Sequence, residues 1–247
     1  MRLLKSTAII SSLTMVSRVL GLIRDIMMAR FLGAGLINDA LITATKLPNL
    51  FRRIFAEGAF NAAFIPLYAR RMEEDGEKAA DNFAGEALAA LIFLVAIIVL
   101  LFQITMPWSL NLIGGGLEKA ASGPDGIVPY DLAVLYARIT MPYLLFMSMG
   151  ALFSGVLNTR NYFAVAAFVP VLLNAVWISI LAAMTYAQWS LQDLALYLSI
   201  GMTASGLLQA SFLVWGLKRA GVRLRIFRPK LTPGVKRLFV LGVPGMI

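Results

Sequence analysis

Six long apolar runs, separated by short polar or glycine-rich breaks, set the pattern of this 247-residue chain. A helix needs about 20 apolar residues to cross a bilayer. The runs predict helices over residues 7–32, 39–68, 82–106, 132–156, 163–183 and 193–217. Gly33-Ala-Gly35 predicts a tight turn between the first two helices, and the mixed-charge run 70–78 predicts a solvated loop. The near-continuous apolar run 87–102 predicts that the third helix faces lipid more than the others. Pro48, Pro142 and Pro170 fall inside predicted helices and should bend them, since proline removes a backbone donor and crowds the preceding turn. A last apolar stretch, 238–247, stops about half a span short. The chain therefore reads as a fragment, with a six-helix transmembrane lobe over 1–231 and the truncated start of a seventh helix over 232–247.

Composition turns this pattern into a class. Apolar residues make up 60% of the chain, charged ones 14%, and mean hydropathy is +0.80, which points to an all-α polytopic membrane protein. The chain has no cysteine and no histidine, which removes disulfides, thiolate nucleophiles, imidazole bases and the usual zinc or haem ligands. No catalytic constellation, metal site or cofactor motif remains, so an enzyme is not expected. Gly114-Gly-Gly116 lacks the Gly-Lys-Ser/Thr that would make it a phosphate loop and reads as a flexible outer loop. The basic leader and the apolar run from Thr7 imitate a signal peptide. Arg18, Arg24 and the lack of a small-residue cleavage site argue instead for a retained first helix.

The first two helices carry more charge than lipid tolerates. An arginine near a bilayer centre costs about 2.5–3.5 kcal/mol, so several in adjacent helices call for a water-filled cavity, an anionic partner, or both. At about 100° per residue, Ser17, Arg18, Gly21, Arg24, Asp25 and Met28 share an arc of roughly 120°. On a regular second helix Asp39, Thr43, Lys46, Arg53, Glu57 and Asn61 share roughly 80°. Arg52 lies off that stripe unless Pro48 swings it inward. Arginine's fixed charge and planar fork suit phosphate or pyrophosphate. The alternative is that Arg18, Arg24, Asp25, Asp39 and Glu57 pair with one another and lock the helices, which leaves basic charge over.

Net charge is +9, and its placement fixes an expected orientation. With a cytoplasmic N-terminus, the inner segments hold Arg2, Lys5, Arg70, Arg71, Lys78, Arg160 and the basic run from Lys218 to Arg237. The outer loops hold only Lys119. Topology and anionic headgroups explain that run without any nucleic acid.

The motif Ser17-Arg18-x-x-Gly21-x-x-Arg24-Asp25, the Gly33-Ala-Gly35 turn, and Asp39 through Lys46-Leu-Pro-Asn-Leu-Phe-Arg-Arg-Ile-Phe-Ala-Glu-Gly-Ala-Phe60 resemble the N-terminal signature of the MurJ (MviN) family, lipid II flippases of bacterial peptidoglycan synthesis. The resemblance implies the multidrug/oligosaccharidyl-lipid/polysaccharide exporter superfamily, in which two six-helix lobes rock around a central cavity in the bacterial inner membrane. It implies that Arg18, Arg24, Asp39 and Arg52 match positions important for activity, that Arg24 and Asp25 lie in the cavity, and that Glu57 lies near the inner gate. The implied substrate is lipid II, and the implied partners are membrane lipids and an absent C-terminal lobe, without which this fragment should not transport. The alternatives are an exporter of another polyprenyl-linked saccharide or a drug, and a non-transporting scaffold for cell-wall enzymes.

Overall fold

The computed structural model of the chain describes residues 2–52, 59–113, 129–225, 229 and 232–242. Among them it forms nine α-helices and no strand: α1 (Arg2–Phe31), α2 (Leu36–Arg52), α3 (Ala59–Glu74), α4 (Glu77–Ile113), α5 (Pro129–Thr140), α6 (Tyr143–Thr159), α7 (Phe163–Ala187), α8 (Leu191–Arg219) and α9 (Pro233–Gly242). α1 packs chiefly on α7, α2 on α5, and α6 and α7 both on α8. Among the described residues, four segments are long and apolar enough to cross a membrane: 77–112, 129–159 (α5 with α6), α7 and α8. The other two expected crossings are α1, which carries Arg18, Arg24 and Asp25, and the α2–α3 pair, whose members have 17 and 16 residues.

Three expectations change. The expected loop 70–78 is mostly helix, because α3 runs to Glu74 and α4 begins at Glu77. Its charges sit at helical spacing, with Arg70 Nε on Glu74 Oε1 at 2.8 Å, and Gly76 at φ +85° makes the turn between the two helices. The expected fourth helix is two helices, interrupted at Met141-Pro142. Among the four candidate spans, α7 buries the smallest share of its apolar stretch, 22% of residues against 33% for α4. α4 buries its N-terminal half, Ala80 to Leu91, among neighbouring helices, whereas α7 buries only the stripe Val171, Asn174, Trp177 and Leu181.

The prolines explain several cross-helix bonds. Pro142 cannot donate to the Arg138 carbonyl four residues back, and Gln103 Nε2 of α4 donates to that oxygen at 2.8 Å. The neighbouring Ile139 carbonyl accepts from Thr203 Oγ1 of α8 at 2.6 Å. Helices α2 and α7 continue through Pro48 and Pro170. The Ala44 carbonyl that Pro48 leaves without its usual donor accepts from Thr140 Oγ1 at 3.3 Å. In lipid such carbonyls must find protein partners, and here neighbouring helices provide them.

Glycines let α8 approach its neighbours closely. A Cβ on Gly206 would lie 2.7 Å from the Tyr143 ring of α6, and one on Gly216 would lie 2.6 Å from Val165 of α7. At one end of the bundle, Arg160 joins three segments. Its Nη2 meets Asp81 Oδ1 at 2.8 Å, its Nη1 meets Glu77 at 2.9 Å, and its Nε donates to Tyr68 Oη at 3.1 Å. Asp81 also accepts the backbone N–H of Arg223 at 3.1 Å. Burial pulls the Arg160 pKa down, but its bonds and charge interactions with Tyr68, Asp81 and Glu77 outweigh that and raise it above its ordinary value. The basic turns around Arg71, Arg160 and Arg223 thus share one end. α9 begins at Pro233, and it docks on α3 and α4 through buried Val235 and Leu238 and a 2.8 Å bond from Thr232 to Glu86.

Candidate functional site

A cavity of about 490 Å³ opens between α1, α2, α6, α7 and α8. α1 brings Arg24, Asp25 and Met28 to it, the face that the sequence spacing predicts. The Arg24 side chain, 25% exposed, is held from two sides. Its Nε and Nη2 donate to Asp25 Oδ1 at 3.0 and 2.8 Å, and its Nη1 donates to Asn174 Oδ1 of α7 at 2.9 Å. Asn174, only 5% exposed, donates in turn to the Ser17 carbonyl at 3.0 Å, so one amide ties α7 to α1 and aims the guanidinium. One turn further along α7, the Trp177 ring centroid lies 5.6 Å from Arg24 Cζ. Three of the five guanidinium N–H bonds are engaged, leaving two for a ligand.

The other expected site residues are spread more widely. Arg18 is on the same side of α1 but borders a second cavity of about 410 Å³ with Ser154 and Asn158, and Pro170 borders both spaces. Asp39 is exposed near the start of α2 and does not border the Arg24 cavity. Thr43, expected on the same stripe, is buried. The reason is the packing of α2: Ala40, Ala44 and Leu47 are buried, and α2 packs chiefly on α5. That turns the row Leu41, Thr45 and Asn49 toward the cavity instead. The side chain of Arg52 and the expected gate residue Glu57 lie outside the described residues. Among the described residues bordering the cavity, Arg24 and Asp25 supply the charge, so the expected excess of cations is not found there.

Sequence reasoning did not place Asn174, Trp177 or Gln209 at the site, although all three border the cavity. A lone amide inside an apolar run, Asn174 in α7 or Gln209 in α8, was the available signal.

Residues 28–247 match the family described as Lipid II flippase MurJ. The chain belongs to the MurJ family. It is 39% identical to the probable lipid II flippase MurJ of Rhizobium meliloti (strain 1021) over 250 residues, covering 100% of this chain and 45% of that protein. It is 34% identical to the lipid II flippase MurJ of Burkholderia cenocepacia, covering 99% of this chain and 46% of that one. The chain thus spans about half the length of these MurJ relatives. In fold it is similar to a solved lipid II flippase MurJ in an inward closed conformation, with TM-score 0.67, 23% identity, and 95% of this chain and 46% of that one covered. It is equally similar to an outward-facing multidrug resistance MATE transporter of the MOP superfamily, with TM-score 0.67, 16% identity, and 97% and 51% covered.

Proposed function

We propose that this chain is the N-terminal lobe of a lipid II flippase, which moves an undecaprenyl-pyrophosphate-linked peptidoglycan precursor from the inner to the outer leaflet by alternating access. Membership of the MurJ family supports the reading, and the observation that carries it is Arg24, fixed on the cavity wall with two N–H bonds to spare. The likeness to MATE transporters leaves the substrate open, so the choice rests on this residue and the family. A guanidinium recognises phosphate oxygens by charge-assisted hydrogen bonds. Asp25 beside it holds the fork in place when no anion is bound and competes with one that is, which moderates affinity so that the headgroup can leave again.

The headgroup occupies the cavity while the polyprenyl tail stays in lipid, and rocking against a second lobe alternates access. Arg18 serves the adjoining cavity, Arg52 and Asp39 complete the path along α2, and Glu57 gates the inner side. The distribution of basic residues supports a cytoplasmic N-terminus. The role is transport, with no catalytic step and no cofactor.

The test is binding of a polyprenyl pyrophosphate to the full-length protein in nanodiscs, measured by native mass spectrometry. Arg24→Lys keeps the charge but loses the fork. One charge-assisted bond is worth about 1.5–3 kcal/mol, so affinity should fall roughly ten- to hundredfold while insertion and thermal midpoint hold. Unchanged affinity would refute the assignment.

A further inference from the structure

A groove of about 410 Å³ runs between α3 and α9 and shares no lining residue with the cavity around Arg24. α3 lines it with Ala62, Ala63, Pro66, Leu67 and Arg70, which fall on one helix face, and α9 adds Arg237 and Leu241, one turn apart. A Cβ on Gly234 would lie 2.6 Å from Arg71 Nη2, so α9 starts beside the last turns of α3. Arg70 and Arg237 stand within a turn of that junction, whereas Ala62, Ala63 and Leu241 lie about two turns or more away from it. The groove is therefore cationic toward one end and apolar along the rest, and its cationic end is the basic end of the bundle, where Arg71, Arg160 and Arg223 also lie.

Both guanidiniums have hydrogen-bonding capacity to spare. Arg70 gives its Nε to Glu74 at 2.8 Å and keeps four N–H bonds, and Arg237 is exposed and makes no hydrogen bond or ion pair among the described residues. Arg71, one residue on, is engaged instead against the Phe83 ring at 4.4 Å. Glu74 offsets one of the two charges, so this end keeps a net positive charge. Leu241 is 52% exposed, which leaves apolar surface open beside it.

We propose that this groove binds an anionic phospholipid of the leaflet that the basic end faces, with its phosphate on Arg70 and Arg237 and an acyl chain along the α3 face and Leu241. A guanidinium pair suits phosphate oxygens, and the apolar run gives a free phosphate nothing to bind. A zwitterionic lipid brings its own cation to the same end and gains less. The bound lipid touches both helices at once and clamps α9 onto α3. None of this depends on what Arg24 binds.

The test is native mass spectrometry of the full-length protein in detergent, titrated with phosphatidylglycerol or with phosphatidylcholine of the same chains. Phosphatidylglycerol should bind more tightly. Arg70→Gln and Arg237→Gln should each weaken it about fivefold, and together roughly twentyfold, with phosphatidylcholine unchanged. Ala62→Phe, which fills the apolar end and alters no charge, should weaken both lipids. Lipid-free thermal midpoints should hold in the arginine variants, because both side chains are exposed and the Arg70–Glu74 pair is a surface one. Phosphatidylglycerol should raise the midpoint of the wild type more than that of the double variant. Lys218→Gln with Arg223→Gln removes the same charge from the same end away from the groove, and an equal loss there would mean diffuse attraction and overturn the site. No loss in the arginine double variant would mean that the rest of the full-length chain covers the groove, and would overturn it too. A polyprenyl pyrophosphate that loses affinity in that variant as much as phosphatidylglycerol does would assign the groove to the transported lipid and likewise overturn the proposal.

Discussion

Asn174 is the residue on which the site depends most and about which its own helix says least. α7 is apolar along nearly its whole length, and its amide both accepts from Arg24 and donates to the Ser17 carbonyl. Asn174→Ala should cost about 1–3 kcal/mol, because it strips buried partners from two groups at once, and it should lower the thermal midpoint accordingly. It should also weaken pyrophosphate binding by releasing the guanidinium. In an Arg24→Ala background that second effect should vanish while the stability loss through Ser17 persists, a non-additivity that a purely structural residue would not give. Arg24 and Asp25 were legible in the sequence because two charges inside an apolar run demand a cavity. Asn174, Trp177 and Gln209 were not, because periodicity finds the side on which charge gathers and is blind to a single amide or indole on an apolar wall. The Asp39 stripe misled for a related reason. Asp39, Thr43 and Lys46 do lie on one helix, but the small residues Ala40 and Ala44 pack inward and set which side of α2 meets the cavity.

Among the elements, the helices of the long apolar runs were legible in type and order, with Gly33, Gly76 and Gly221 in turns between them. The interruptions were legible only in part. Of the three prolines expected to bend helices, Pro142 interrupts one, where α8 and α4 both provide donors to the freed carbonyls, whereas α2 and α7 stay helical through Pro48 and Pro170. That outcome depends on tertiary partners and could not be read locally. Gln103→Leu should therefore cost about 1 kcal/mol by stranding the Arg138 carbonyl in a low-dielectric setting. In a Pro142→Ala background, where the restored N–H can serve that oxygen, the cost should shrink. Thermal unfolding of the four proteins of this cycle decides it; equal costs in both backgrounds would contradict the account. The expected loop 70–78 failed through the opposite error: Arg70 and Glu74 pair at i,i+4 near the end of α3, and a charged run was mistaken for an unstructured one.

At the scale of the whole molecule, the packing gathers the turns near Arg71, Arg160 and Arg223 at one end through Asp81 and Glu77, which fits a single basic side of the membrane. Cysteine introduced at Tyr186, at the opposite end of α7 from Arg160, should label with an impermeant reagent from outside intact cells. Cysteine at Asp75 should label only after permeabilisation, and the reverse pattern would invert the orientation. The central proposal, that Arg24 of this lobe serves the outward movement of lipid II by the full-length protein, is tested most directly by lipid II accessibility in cells depleted of that protein. An impermeant probe at the outer face should lose its target on depletion while lipid II accumulates inside. The wild-type protein should restore the outer pool, and an equally expressed Arg24→Lys variant should not. Outer-face lipid II that stays constant through depletion would contradict the account.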